Sequence, residues 1–485
     1  MRLVESLFIG SILCTATLVP TTSQAVRPPN GGLFAYSDAD ELTYLDGEQG
    51  RIRVHYSLSG PNAALLDDAD DDGRPDFVTT AAEVGEAALQ RYVDELGFLP
   101  PLDDTSLDVY DDGGSSAVDI YLVDFGGQAD GNFSIDDCIP TGACSGALIV
   151  ENDFRGYGYR SAQEALETVV SHELFHAIEA AYVASTPIWV SEGIAVWAER
   201  QFEPASRDFL AFVRAYLEET DRPFHRPPGG PVPYFAYGVG LWWEFLSLEL
   251  GHDFIERYLR GFGGEVFDDE AALAWLITAL ESEGRALDTL WDRFALMNLA
   301  TSDRSGVLES YRDAEQMLGL VVSDLDASDT TEATRYYPLT AHYYSWDHRE
   351  TMRFFGASKR DRHLRGILVA ADERGVPLEV TRTFSFDELP LRLTEEGAEP
   401  GRQYLIITNS SVGTNSVRTE LCFGESSEAL QCLSEDPIGG GGESEQAQDS
   451  TDTGCTQSQT LELWGLLSVG LLIYRRRFTA RSEHT

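Results

Sequence analysis

An α+β fold is predicted for this chain, with helices and short strands to about residue 320 and a β-sandwich over 330–432. Three observations predict it. Apolar residues follow a helical period from Pro75 to Leu96 and again from Ser161 to about Val183. Short alternating runs bounded by Gly and Asp separate these stretches and read as strands. From Arg335 onward alternation replaces the helical period.

Taken in order, Arg2, the apolar run Leu7 to Val19 and the small residues Ser23-Gln24-Ala25 form a secretory signal, with cleavage expected after Ala25. The run is too short to span a bilayer. Residues 26–50 read as extended. Arg51–Tyr56 reads as a strand, 75–96 as a helix, and Leu107–Tyr110, Val118–Asp124 and Ala147–Val150 as short strands. Ser161 and Glu164 have capping-box spacing at the head of the next helix. That helix is apolar on more than one side (Leu166, Val169, Val170, Leu174, Phe175, Ile178), so it is expected to be buried. Thr186-Pro187 reads as N-cap and first position of a following helix that stops before Pro204. Further helices are expected over 206–218, 237–250, 253–260, 268–281 and 286–299, with Gly251 and Gly261 as stops.

The sandwich strands are expected at Leu339–Trp346, Met352–Phe355, Leu364–Ala370, Leu378–Thr383, Leu389–Leu393, Tyr404–Thr408 and Val417–Cys422. The resulting organisation is a signal at 1–25, a first domain at 26–320, the sandwich at 330–432, a flexible linker at 433–454 and a tail at 455–485.

The formal net charge is -46, and Lys359 is the single lysine. Phosphate backbones would be repelled by such a surface, so nucleic-acid binding is excluded. Without Cys14, which falls in the signal, five cysteines remain. Cys138 with Cys144 and Cys422 with Cys432 are expected as local disulfides in an oxidising compartment. Cys455 is left over. After it comes an apolar run, Leu461 to Tyr474, and then Arg475-Arg476-Arg477. Thr453-Gly454-Cys455 with that run and its arginines resembles the Myxo-type C-terminal sorting tail of myxobacterial exported proteins. The resemblance implies a sorting machinery as partner, with cleavage near Cys455. A C-terminal membrane helix is the alternative, and either places the body outside the cell.

The chemistry is concentrated in His172-Glu173-Leu174-Phe175-His176. Residues i and i+4 share one helix face, so both imidazoles can grip one ion, and Glu173 can handle a proton on its bound water. Catalytic zinc needs three protein ligands and an open position. A histidine as third ligand would have to stand about six residues after His176, past a glycine; Tyr182 stands there and the glycine is missing, so that class is excluded. Glu192 lies sixteen residues after His176, beyond a proline break that lets the chain turn back. Pro187, Trp189, Glu192, Gly193 and Ala195 match a Pro-x-Trp-x-x-Glu-Gly-x-Ala pattern. With the pentapeptide, this resembles the gluzincins, in particular the peptidase MA-like group and secreted metallopeptidases of myxobacteria.

The resemblance implies a zincin-like catalytic domain: a small mixed sheet, active-site helices and a helical subdomain. It implies zinc on His172, His176 and Glu192, Glu173 as general base, and hydrolysis of peptide or protein substrates. Glu199, two turns after Glu192, is a candidate to orient a ligand histidine. Gluzincins usually add a Tyr or His for the oxyanion. Tyr237, Tyr234 and His225 are the candidates, with preference for Tyr237.

Asp68, Asp70, Asp72 and Asp76, with Gly73 between, resemble the Asp-rich calcium loops of thrombospondin type 3 and dockerin repeats. Calcium there would be structural. Thr79 stands where an EF-hand has Glu. The rival function is a non-catalytic, calcium-stabilised surface or adhesion protein on a degenerate peptidase scaffold.

Overall fold

A computed structural model describes residues 27–433, apart from 32–33, 106, 108, 110, 228–233, 326–329, 348–351, 394–400 and 414. The signal, Cys455 and the sorting tail lie outside the described residues. Among the described residues no helix is long and apolar enough to cross a membrane.

The chain begins with β1 (Leu42–Asp46), β2 (Ile52–Ser57), α1 (Asp76–Leu89), β3 (Val118–Val123), β4 (Gly131–Cys138) and β5 (Cys144–Glu151). These strands form one mixed sheet in the order β1-β2-β3-β5-β4. β2, β3 and β5 are parallel, and β1 and β4 are antiparallel edges. β3 and β5 are buried along most of their length, whereas β2 alternates, with Ile52, Val54 and Tyr56 buried and Arg53 and His55 only partly so. Ile52, Val54, Ile120, Leu122, Leu148 and Val150 join the main core with α1 and the next helix. Phe34 and Tyr36 pack against Val123, Phe125 and Ile149 in a separate cluster. Among the described residues of 107–110 no strand forms; Asp and Gly on both sides favour turns over a ladder.

Arg27 is inserted into this layer. Its guanidinium pairs with Asp104, Asp119 and Asp136, and its Nε lies 2.8 Å from Asp136 Oδ2. All four side chains are buried.

Both disulfides form as expected, Cys138–Cys144 and Cys422–Cys432, which suits an oxidising environment. The first closes the tip of the β4–β5 hairpin. That tip rests backbone to backbone on the loop around Gly264. A Cβ on Gly264 would lie 1.7 Å from the Thr141 carbonyl oxygen, and Gly142 and Gly264 have φ of +90° and +81°.

The helical layer comprises α2 (Ala162–Ala180), α3 (Ile188–Phe202), α4 (Arg207–Leu217), α5 (Tyr234–Gly238), α6 (Gly240–Leu250), α7 (Asp253–Arg260), α8 (Asp269–Ser282) and α9 (Leu287–Leu299). Ser161 caps α2 by accepting from Glu164 N at 3.1 Å. The reciprocal half of the box is displaced, since Glu164 takes the Arg160 N–H instead. α3 departs from expectation: its N-cap is Pro187, without a side-chain cap, because the Thr186 hydroxyl is turned to Glu179. Gly251 has φ +87° and ends α6, whereas Gly261 is right-handed and is glycine because Trp275 lies where a Cβ would stand.

The remaining strands are β6 (Ser323–Asp324), β7 (Thr334–Tyr336), β8 (Thr340–Asp347), β9 (Phe354–Ala357), β10 (Leu364–Ala371), β11 (Pro377–Ser385), β12 (Leu391–Arg392), β13 (Arg402–Asn409), β14 (Val417–Thr419) and β15 (Leu421–Gly424). A five-stranded sheet, β11-β10-β13-β8-β6, and a three-stranded sheet, β12-β9-β15, share a core of Tyr344, Leu368, Leu405, Ile407, Phe355 and Phe423. The opposite face of the larger sheet joins the main core through Tyr343, Ile367, Val369 and Ile406. Trp291 on α9 donates to Thr340 O at 3.2 Å, and Tyr343 donates to Ala295 O at 3.0 Å. The larger of these sheets is thus seated on α9.

Candidate metal centre

α2 is buried on most sides, as its apolar residues demand, and carries His172 and His176 one turn apart. After the break at Pro187, α3 packs back onto α2. On its other side α3 is packed closely by α6. Gly193 lets α6 approach, since a Cβ there would lie 2.9 Å from the Trp243 ring. Trp189 stacks on Trp243 at 6.0 Å and 8°. The packing of α3 on α2 brings Glu192 to the two imidazoles.

His172 Nε2 lies 3.0 Å from His176 Nε2 and 3.2 Å from Glu192 Oε2, and His176 Nε2 lies 3.6 Å from the same oxygen. Donors about 2.0–2.2 Å from a tetrahedral ion are roughly 3.3–3.6 Å apart. The 3.6 Å separation falls in that range and the other two fall short of it by about 0.1–0.3 Å, so the three donors could hold one ion with a small outward shift. Burial supports the fit. Glu173, Glu179, Glu192 and Glu199 are all buried around the two imidazoles. Four carboxylates cannot stay ionised in such a space without compensating positive charge.

The histidines have distinct partners. His172 Nδ1 lies 2.6 Å from Glu199 Oε1. A proton held on Nδ1 leaves the Nε2 lone pair facing the centre. His176 Nδ1 faces Glu179 Oε2 at 3.3 Å and Ser191 Oγ at 3.4 Å. Burial disfavours charge on both rings, but Glu192 with Glu199 raises His172, and Glu192 with Glu179 pushes His176 up to about 10. Burial also disfavours charge on Glu192, but the two histidines hold it far below the usual carboxylate range.

Glu173 is buried beside the pair, and burial pushes its carboxyl up to about 7 against the pull of His172 and His176. Its neighbour is β4. A Cβ on Gly131 would lie 2.9 Å from Glu173 Oε1 and 2.4 Å from Val169 Cγ1, so only glycine lets the strand pass so close.

Of the three oxyanion candidates, Tyr237 is the one brought to the centre. Its ring stacks on His172 at 5.9 Å and 13°. Burial, with Glu192 beside it, raises its hydroxyl well above the ordinary value. Tyr234 packs on Phe212 at 5.6 Å. His225 packs on Phe224 instead, with neither ring nitrogen hydrogen-bonded among the described residues.

Asp68, Asp70 and Asp76 each offer an oxygen, all within 4.8 Å of one another. Asp72 stands outside this group; its Oδ1 accepts from the Arg74 N–H at 2.8 Å. The amides of Asp72 and Gly73 donate to Asp68, which curls the loop around its own carboxylates.

β4 and Glu179 escape the sequence reading. Both left a signal: Phe133 and Ile135 alternate as in a strand, and Glu179 is three residues beyond His176 on its helix. No family model matches the chain, and no curated protein matches it significantly.

Proposed function

We propose that this chain is an exported zinc peptidase that hydrolyses peptide bonds with a water molecule. The observation that carries this is the convergence of His172, His176 and Glu192 from two helices, with Glu173 beside them. These three residues would hold zinc, which supplies a Lewis acid and an acidified water when bound.

Glu173 takes the proton from the attacking water and passes it to the leaving amine nitrogen. Its burial keeps that proton between enzyme and substrate. Tyr237 donates toward the oxygen that gains charge as the carbonyl becomes tetrahedral. Glu199 holds His172 in the tautomer that offers Nε2 inward. The combination of the Pro187-x-Trp189-x-x-Glu192-Gly193 segment with the His172 pentapeptide supports a gluzincin-type, zincin-like domain. The signal, the two disulfides and the arginine-ended tail support export and surface sorting. Asp68, Asp70 and Asp76 support a structural calcium site.

The test is metal analysis and peptide cleavage by the purified protein and by Glu173→Gln. The wild type should bind about one zinc and cleave a broad peptide library. The variant should keep zinc and lose cleavage by several orders of magnitude. A wild type that binds no zinc refutes the proposal. Zinc or calcium binding with no cleavage of any peptide favours the rival, a non-catalytic surface protein.

A further inference from the structure

The geometry points to Glu179 as the positioning residue of His176, acting with Thr186 and Ser191 as a clamp across the α2–α3 turn. The inference rests on the zinc reading of the centre. Glu179 and His176 are on α2, one turn apart. Glu179 is buried, and its carboxylate gathers three groups. Oε2 faces His176 Nδ1 at 3.3 Å and accepts from Ser191 Oγ at 3.0 Å, while Oε1 accepts from Thr186 Oγ1.

Each contact reaches a different part of the site. His176 supplies a ligand nitrogen. Thr186 stands at the break between the helices, next to Pro187. Ser191 directly precedes Glu192. A carboxylate facing Nδ1 favours the proton there and turns the Nε2 lone pair toward Glu192. The same carboxylate holds the start of α3 against α2, and so sets how far the Glu192 oxygen stands from the imidazoles. Thr186 is thereby accounted for: its hydroxyl is used inward, and the helix begins without a side-chain cap.

The two histidine arms are therefore unequal. His172 meets Glu199 at 2.6 Å in a fully buried pair. His176 meets Glu179 at 3.3 Å, and its side chain retains 14% exposure, so two hydroxyls complete the carboxylate's hydrogen bonding on the more open side. Glu179 does not touch the centre itself; it acts through His176 and through the placement of Glu192.

The experiment uses the full chain with zinc and cobalt(II) as probes. Affinity is read by competition with a chromophoric chelator, geometry by the visible spectrum of bound cobalt, and fold by melting of the metal-free protein. Glu179→Ala should weaken zinc binding about 10–100-fold and change the cobalt spectrum. Glu179→Gln, which keeps an acceptor oxygen of the same reach, should lose less affinity and keep a spectrum close to that of the wild type. Ser191→Ala and Thr186→Val, which leave the carboxylate in place, should each weaken binding by a smaller factor. A merely structural glutamate would lower the melting temperature while leaving zinc affinity and spectrum unchanged, and that result overturns the inference. Failure of the wild type to bind zinc removes the metal centre and the clamp together, and is seen before any variant is made.

Discussion

Replacing Arg27 with methionine should produce a large, pH-dependent loss of stability. Methionine keeps much of the apolar stem and removes the charge. Asp104, Asp119 and Asp136 then face one another without the cation they share. The His55 ring remains 2.8 Å from Asp119, and Arg53 acts on the same carboxylate from farther off. Removing one partner of a buried ion pair costs about 3–5 kcal/mol. The sign of the pH dependence follows from the carboxyls. Burial pushes Asp104 up to about 6 and also raises Asp136, although Arg27 pulls both down. Without Arg27 both rise further. A carboxyl whose folded value lies above its unfolded value favours the folded state at low pH and loses that contribution as pH climbs through the folded value. The variant should therefore be most damaged above pH 7 and partly rescued near pH 5. Urea unfolding at pH 7.5 and pH 5 measures both. A loss below about 1 kcal/mol at pH 7.5, or the same loss at both values, would refute the argument.

Gly131→Val should push β4 off α2, cost about 1–3 kcal/mol in melting experiments, and lower peptide cleavage more than zinc binding, since the clash falls on Val169 and Glu173. His225 is held down to about 4 by burial and Arg226. The unfolded chain therefore takes up its proton first, and stability drains away as pH falls from about 6.5 to 4. His225→Phe should flatten that part of the stability profile by up to roughly 3 kcal/mol. Calcium at about 100 times its dissociation constant should stabilise the wild type by about 2.7 kcal/mol. Asp68→Asn with Asp70→Asn should abolish that shift without changing zinc content, as calorimetry with added calcium would show.

The sequence carried much of the helical layer because its segments keep the helical period, although the one helix expected over 237–250 is divided into α5 and α6 at Val239. α7 has its expected bounds, and Asp268 caps α8 through Ala271 N at 2.8 Å. The convergence of His172, His176 and Glu192 was legible for a similar reason: i, i+4 spacing and a proline break are local facts with direct geometric consequences. What escaped was set by distant partners. Arg27 reads as one charge in an extended leader, and nothing local says that aspartates from three separate segments will close on it. Glu179 reads as one more helix glutamate until α3 delivers Ser191. Thr186 reads as a cap because the residue type and the following proline fit one, but its hydroxyl donates to the buried Glu179 carboxylate and is thereby turned away from the α3 amides. Asp72 alternates with its neighbours in sequence, yet the curl of the loop leaves its oxygens outside the group that Asp68, Asp70 and Asp76 form.

The tip of the β4–β5 hairpin has a mechanical meaning. It crosses from the rim of the first sheet to the loop beyond α7, and it lands on glycines at both ends of the contact. Main chain touching main chain leaves no side chain to swing aside. The sheet and the helices are thus buttoned together at this corner, and any breathing between them must pivot about it.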